Sequence, residues 1–538
     1  MLNHSSHNTI TNVPRWFFVL CILIPFLPIL RGGLILGDPF HHGEYFHAAA
    51  HFFNQEAIGF IPLTIHGAID FVPTVMARGL WGGWNYFLPT AALHQLLGLF
   101  ASMTFIALSY ELTREKESQR WSLVVAALVA PLCVADKDLF LLLSLYLFIL
   151  IGNRSWPRRL EIILKALFGL LVAIGFFWSF DRGIAQTVSL GIATLFLARK
   201  NRDSFVSIFV FLLVIGLLGI YFPVFSLSNY VENVHVLMET SLQWSYGFQS
   251  RPVRLTIFAF FVNAYAFFLY VRSYFQSGQI KSKISEVIVF FLLSAFMLKI
   301  GTNRADLGHI YMSLWMPMLM LNTVRVNPEL GRYWKYGVVT VFLAALYWTL
   351  KTDSYGLVLV GAGLACIVFA TPGTSSRMAF RTIFYLLVSA SLSSVIYSGA
   401  KGLWGGQYNW IARMHSPPSN SLSSTKGVAW ASEQILRAHA KCVFDLSNNG
   451  VINGLTNLSG CSRFSYLVYA GKQHEDELIS ALRLTMPSVI VYSSTYWSYS
   501  IDGRTMRDRF PVLDAFILAR YPKEECAHGY CMRYSGDA

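Results

Sequence analysis

Charge is scarce in this chain. Only 13% of its 538 residues are Asp, Glu, Lys or Arg, against about 25% in soluble domains. With 54% hydrophobic residues and a mean hydropathy of +0.48, that shortage excludes an ordinary soluble protein and indicates a membrane protein. Acids are scarcer than bases, 29 against 42, which leaves a formal charge of +13. In a soluble protein such an excess would suggest nucleic acid. Here much of the basic charge lies in short loops between apolar runs, where it is an orientation signal, so nucleic acid is not an expected partner. No C-x-x-C pair supports a zinc site, and there is no internal repeat. The first apolar run, Trp16 to Leu30, is not followed by a small-residue cleavage site, so it reads as a retained span.

What is present is a series of apolar runs. A bilayer-crossing helix needs about 20 mostly apolar residues. Candidate cores fall near 16–31, 89–110, 121–135, 139–152, 161–180, 184–198, 204–224, 255–272, 284–300, 310–324, 336–350, 355–370 and 382–399. Several are short, so the expectation is about 11–13 spans. The basic loops TREKESQR, NRSWPRR, RKNR, RSYFQSGQIKSK, RVNPELGRYWK and SSRMAFR alternate with a set poorer in Lys and Arg: 32–88, ADKD, FDRG, 225–254, GTNRADLGH and KTDS. The positive-inside rule makes the first set cytoplasmic and the second outward-facing, with everything after Ala400 outside as well.

Residues 401–538 hold no run of span length. After a Pro/Ser linker, HSPPSNSLSSTKG, helix-like and strand-like segments alternate. ASEQILRAHA, HEDELISALRLT and RDRFPVLDAFILARY read as helices, and KCVFDLS, SVIVYSS and HGYCMRY as strands, which predicts a small α/β domain. The NNG at 448–450 reads as turn chemistry only. Cys21, Cys133 and Cys366 lie in spans, as small apolar groups. The tail holds four cysteines, which allow three pairings. Cys526 with Cys531 and Cys442 with Cys461 is the expected set, and four free thiols the alternative.

Function concentrates in GDPFHHGEYFHAAAHFF, 37–53, with two acids and four histidines at the edge of the bilayer. Three readings compete. An amphipathic interfacial helix would show its polar residues to water and Phe40, Tyr45, Phe46, Phe52 and Phe53 to lipid. A metal site could use Glu44, His47 and His51 from one helical face, although the spacing is not H-E-x-x-H. General acid–base chemistry could use Asp38 or Glu44, with the histidines positioning phosphate or sugar hydroxyls. Two further outward stretches favour the last reading. LTIHGAIDFVPTVMARGLWG brings His66, Asp70 and Arg78, and GTNRADLGHIY brings Arg304, Asp306 and His309. Arginine and histidine together at the bilayer edge suit a lipid phosphate. The bland reading of Arg304 and Asp306 is a loop ion pair.

The segments DPFHHGEYFHAA, IHGAIDFVP and TNRADLGHI, together with the tail's VFDLSNNGVINGL, SRFSYLVYA and ELISALRLTMPSVIVY, resemble the GT-C fold glycosyltransferases, in particular bacterial members with a periplasmic C-terminal domain. These motifs span most of the chain and say little about the sugar. The resemblance implies a mainly α, polytopic transmembrane module at 1–400, with a first periplasmic loop at 32–88, followed by a periplasmic α/β domain at 401–538 in a bacterial inner-membrane protein. It implies transfer of a sugar from a polyprenyl-phosphate donor to a hydroxyl of a glycan, lipid or protein acceptor. Glu44 or Asp38 would be the general base. Arg304 with His309 would engage the donor phosphate, and His41, His42, His66, Asp70 and Asp306 would complete the substrate site. No cofactor is firmly implied, and a divalent metal is the lesser option. In the tail, Trp404, Trp410, Tyr492, Tyr496 and Trp497 could stack on an acceptor glycan. The rival classes are a flippase for lipid-linked sugars and an oligosaccharide ligase. A flippase needs polar groups along a path through the bundle, whereas His94, Lys165, Glu286 and Lys299 are scattered among otherwise clean spans.

Overall fold

The structure, a computed structural model, describes residues 15–23, 43–53, 60–81, 87–114, 119–199, 201–244, 250–280, 283–304, 307–323, 426–493 and 506–536. The spans expected at 336–350, 355–370 and 382–399 lie outside the described residues. So do Asp38, His41, His42, Asp306, Trp404, Trp410, Tyr496 and Trp497.

The described part of the first 400 residues is helical: α1 (Arg15–Leu23), α2 (Glu44–Phe53), α3 (Val72–Trp81), α4 (Phe87–Thr113), α5 (Gln119–Cys133), α6 (Leu139–Asn153), α7 (Arg158–Trp178), α8 (Phe180–Ala198), α9 (Phe205–Tyr221), α10 (Leu227–Trp244), α11 (Ser250–Gln276), α12 (Ile284–Arg304) and α13 (Leu307–Thr323). Among the described residues, four helical stretches are long and apolar enough to cross a membrane: Pro89–Thr113, Arg158–Trp178, Arg202–Tyr221 and Ile284–Asn303. The apolar runs expected near 121–135 and 139–152 fold as α5 and α6, each 15 residues long, or about 22 Å at 1.5 Å per residue.

Two equally apolar helices end in opposite places. The stretch LFLLLSLYLFILIGN of α6 is apolar all round and sits inside the bundle, packed by α4 and α7 with Leu141, Leu142 and Leu145 buried. FVSIFVFLLVIGLLGIY of α9 packs one side on α7 and leaves Phe209, Leu212 and Ile220 exposed, the surface a lipid-facing helix presents. The main core runs through α4 to α8 and α11 to α13, around Phe105, Phe290 and Trp315.

The segment 225–254, read from sequence as a loop between spans, contains a helix, α10, whose Val236 packs into the core of the tail. The helix α2 does not lie in the interface with its aromatics towards lipid. Phe46, His47 and Ala48 to Ala50 are buried, and Phe46 packs on Phe87 at 4.3 Å between centroids. Its three consecutive alanines let neighbouring segments close over it on several sides, which a helix floating at a surface has no need of.

The tail folds as α14 (Lys426–Arg437), β1 (Phe444–Asp445), α15 (Val451–Thr456), α16 (Glu475–Thr485), β2 (Val489–Ser493), α17 (Pro511–Arg520), β3 (Lys523–Ala527) and β4 (Tyr530–Tyr534). The sheet order is β1-β2-β4-β3, with β1 parallel to β2 and the other pairs antiparallel. The predicted α/β alternation is present. The strand β3 was not anticipated, because KEECA is exposed and charged and carries no apolar alternation. His528 and Gly529 both have positive φ and close the β3–β4 hairpin tightly. Both expected disulfides are present, Cys442–Cys461 and Cys526–Cys531, the second joining directly opposed residues of the hairpin.

The NNG segment does more than turn. Asp445 accepts hydrogen bonds from the backbone of Ser447 at 2.7 Å and of Asn449 at 2.6 Å, which folds the corner back on itself. Asn448, at φ 55°, accepts from the backbone of Val468 at 3.0 Å. Gly450 then lies against the bundle: a Cβ there would stand 2.2 Å from the carbonyl oxygen of Gly43. The Leu63 N–H donates to the Arg463 carbonyl at 2.9 Å, and Arg78 pairs with Asn457. The tail is therefore docked on the first loop, directly over the start of α2.

Candidate active site

Glu44 is the first residue of α2, where the helix dipole favours a negative charge. It is 3% exposed, and its Oε1 accepts a hydrogen bond from the hydroxyl of Tyr469, a tail residue, at 3.1 Å. Its Oε2 lies 3.6 Å from Nδ1 of His66. The same nitrogen is 3.0 Å from Oδ1 of Asp70. Oδ2 of Asp70 accepts the backbone N–H groups of Ile65 and His66, each at 2.8 Å. Burial works against the charge on Asp70, but His66 and these donors outweigh it and hold the carboxyl below its ordinary range. Both oxygens of Asp70 are thus committed to fixing the loop and the ring of His66.

The loop itself is pressed onto the end of α7. Gly67 has a φ of 116°, and a Cβ there would meet the carbonyl oxygen of Phe177 at 2.7 Å. The backbone N–H of Phe180 donates to the carbonyl of His66 at 2.7 Å.

A second loop, ADKD, joins the site. Asp136 pairs with Nδ1 of His94 at 2.6 Å, and Tyr45 stacks on that imidazole at 3.7 Å between centroids. Burial again opposes the charge on Asp136, and His94 and Lys137 overcome it, leaving its carboxyl below the usual range. Asp138 is fully buried and accepts from Nε of Arg182 at 3.0 Å, yet burial wins there and raises its pKa. Arg182 also pairs with Asp181, and its Nη2 lies 3.3 Å from Sδ of Met312. Lys137 is half-buried, and its ammonium favours the charged forms of both Asp70 and Asp136.

Of the residues singled out from sequence, Glu44, His66 and Asp70 come together. The side chain of Arg304 lies outside the described residues. His309 is half-buried near the start of α13, three residues before Met312, so one helical face relates it to Arg182. The metal reading of Glu44, His47 and His51 does not hold. His47 is buried by Tyr466 at 5.0 Å and turns Nε2 towards the carbonyl of Leu63, at 3.4 Å. His51 lies edge-on to Phe52. Among the described residues, the grouping with metal-ligand spacing is Glu524, Cys526 and Cys531, and both cysteines are in a disulfide.

Sequence reasoning missed Tyr469, His94, Asp136 and Lys137. His94 did carry a signal, since an ionisable residue inside a span marks function by default. ADKD belongs to the loop set poorer in Lys and Arg, and nothing in its sequence marks it as part of a site. Tyr469 lies in the quoted SRFSYLVYA segment, but nothing in the sequence marks it out from its neighbour Tyr466.

No family model matches the chain, and no curated protein matches it. Among solved structures, ArnT from Cupriavidus metallidurans in its apo state shows 11% identity and a TM-score of 0.48, over 96% of this chain and 97% of that one. The same protein bound to undecaprenyl phosphate shows 12% identity and a TM-score of 0.47, with the same coverage. The oligosaccharyltransferase of Archaeoglobus fulgidus, tethered to an acceptor peptide, shows 11% identity and a TM-score of 0.44, over 93% of this chain and 71% of that one. These are distant likenesses of overall fold, and the chemistry rests on this chain's own residues.

Proposed function

We propose that the chain is a membrane glycosyltransferase that moves a sugar from a polyprenyl-phosphate donor to an acceptor hydroxyl, with Glu44 as general base. The observation that carries this reading is the gathering of Glu44, His66, Asp70 and Lys137 at one end of the helical bundle, against the docked tail. One-sided clustering suits an enzyme working at one membrane surface. A flippase would need its polar groups spread along a path between the two faces.

The roles follow from which atoms are already engaged. Asp70 is occupied by two backbone donors and His66, so it orients and does not react. Arg182 is occupied by Asp138 and Asp181, so it braces the floor. Glu44 keeps Oε2 free of any hydrogen bond among the described residues, with His66 beyond bonding distance at 3.6 Å. That oxygen is the proton acceptor. The acceptor oxygen attacks the anomeric carbon, and the bond from that carbon to the phosphate oxygen breaks. The electron pair stays on the lipid phosphate, and the hydroxyl proton passes to Glu44. Lys137, with the fixed ring of His66, meets the charge that develops on the departing phosphate. Asp38, His41, His42, Arg304, Asp306 and His309 remain proposed contributors from the neighbouring segments. The acceptor is proposed to be a cell-surface glycan, a glycolipid or a protein, and the working face the periplasmic one of a bacterial inner membrane.

The test is transfer of label from a polyprenyl-phosphate sugar pool, comparing purified wild type with Glu44→Gln and Asp38→Asn. The reading expects a new glycosidic bond with wild type and a loss of roughly 10²–10⁴-fold with Glu44→Gln. Full activity in Glu44→Gln at equal protein level would move the base to Asp38. Movement of the lipid between leaflets with no new bond would replace the enzyme by a flippase.

A further inference from the structure

The scattered ionisable residues of the spans are not scattered in space. Lys165 and Glu286, 5% and 6% exposed, line one cavity of about 230 Å³. It lies at the end of the bundle away from Glu44. The helix α6 starts beside Asp138 and ends at Asn153, which lines the cavity. The helix α8 starts beside Asp181 and reaches the cavity at Thr194 and Leu197. At 1.5 Å per residue the two sites are about 20 Å apart.

The interior is polar but compensated. Lys165 Nζ stands 2.6 Å from Oε1 of Glu161 in an ion pair, without a well-directed hydrogen bond of its own. Glu286 accepts from the hydroxyls of Tyr270 at 3.1 Å and Tyr274 at 2.9 Å, and pairs with Lys283 at 3.0 Å. Ser204, Asn153 and Asn201 add hydroxyl and amide groups, and Phe148, Phe168 and Leu197 form an apolar wall. Two acids against two bases leave no net charge, so the interior suits an uncharged, hydroxyl-rich group. The rim differs. Arg158, Arg159, Arg199 and Arg202 are exposed on the segments that border it, and Arg158 is only loosely held, 3.4 Å from Asp203. Just along α7 and α9 from this rim, Ile163, Phe205 and Phe209 are exposed and apolar.

We infer that this cavity binds a phosphoglycerol group, presented as the headgroup of an anionic phospholipid: glycerol hydroxyls inside, phosphate on the arginine rim, acyl chains along α7 and α9. Basic sites between helix ends are where membrane proteins hold anionic headgroups, and guanidinium matches phosphate oxygens. A zwitterionic lipid would bring an ammonium to a rim that is already positive. The site is independent of the transfer chemistry, because none of its residues touches the Glu44 cluster.

Native mass spectrometry of the full-length protein, released from detergent with equimolar phosphatidylglycerol and phosphatidylethanolamine, tests this. Wild type is expected to retain one phosphatidylglycerol in preference to phosphatidylethanolamine by roughly tenfold. The double variant Arg158→Gln/Arg202→Gln, altered only at exposed positions, is expected to lose the preference. Thr194→Leu, which fills the interior, is expected to lose the bound lipid while the arginine rim stays intact. Thermal stabilisation by glycerol 3-phosphate without any lipid preference would keep the phosphoglycerol site and assign a soluble source. Equal retention of both lipids by wild type with no stabilisation by glycerol 3-phosphate, or a preference unchanged in both variants, would overturn the inference.

Discussion

The hydroxyl of Tyr469 donates to Oε1 of Glu44 at 3.1 Å across 425 positions of sequence. It joins the tail to the residue proposed as base, so the tail helps build the candidate site as well as cover it. Tyr469 sits on a short turn held on both sides of Val468: the Val468 N–H donates to Oδ1 of Asn448 at 3.0 Å, and Nη1 of Arg509 donates to the Val468 carbonyl at 3.3 Å.

Tyr469→Phe removes one hydroxyl and leaves the ring. A hydrogen bond to a charged group contributes about 1.5–3 kcal/mol. The expected outcome is a fall in kcat of roughly tenfold to a hundredfold with little change in donor KM, because the contact aims the base and does not hold the lipid. Steady-state kinetics of the purified variant checks it. A pure KM effect would mean that Tyr469 contacts substrate instead.

Lys137 makes the opposite prediction. Lys137→Met removes the half-buried cation beside Asp70 and Asp136 while keeping most of the side-chain volume. If the ammonium meets the lipid phosphate, donor affinity should weaken by roughly tenfold or more, the size of a charge-assisted contact. Binding of the unreactive polyprenyl phosphate by the variant, measured directly, isolates this from chemistry. Unchanged affinity would return the phosphate role to Arg304 or His309.

What the sequence revealed follows a physical rule. Long apolar runs are local, so the helical bundle could be read directly, as could the helix–strand alternation and disulfides of the tail. Glu44, His66 and Asp70 were legible because acids and histidines cluster there in a chain otherwise poor in charge. Tyr469 and His94 were not, because their meaning lies in partners far along the chain. The interfacial reading of α2, one of three that the sequence allows, fails for the same cause: EYFHAAAHFF has an amphipathic pattern, but the tail residue that caps its start lies 425 positions away. The charges at Lys165 and Glu286 looked unrelated because helix ends, not sequence, bring them together.

Docking of the tail is expected to hinge on Gly450. Any side chain there meets the carbonyl of Gly43, with 2.2 Å to the first added carbon. Gly450→Val should separate the NNG corner from the start of α2 without touching the bundle core. Transfer activity is expected to fall at least as far as in Tyr469→Phe, and limited proteolysis should cut the variant between bundle and tail faster than wild type. An active variant with wild-type protease resistance would show that the corner yields without cost.

Asp445 gives the tail a pH dependence whose sign can be worked out. Burial pushes its carboxyl up to about 6, against hydrogen bonds from Ser447 and Asn449 that pull it down. The unfolded chain has the ordinary value near 3.8. The folded state therefore binds this proton more tightly. Its contribution to stability is full below the unfolded value, and is lost as pH rises through the folded one. About two pKa units correspond to about 3 kcal/mol, an order-of-magnitude figure for a fully buried group. Wild type should thus lose stability in the tail between about pH 4 and pH 6 relative to Asp445→Asn, which carries no proton to lose. The variant is expected to be less stable at every pH, because its amide offers one acceptor where the carboxylate offered two and leaves the Asn449 N–H without a partner. The diagnostic is therefore the slope and not the level. Thermal unfolding of the two full-length proteins across pH 4.5–7.5, followed in the tail by a fluorophore attached at an exposed position, should give converging curves as the pH rises. Parallel curves would mean that Asp445 stays ionised throughout, held by its three donors against the cost of burial.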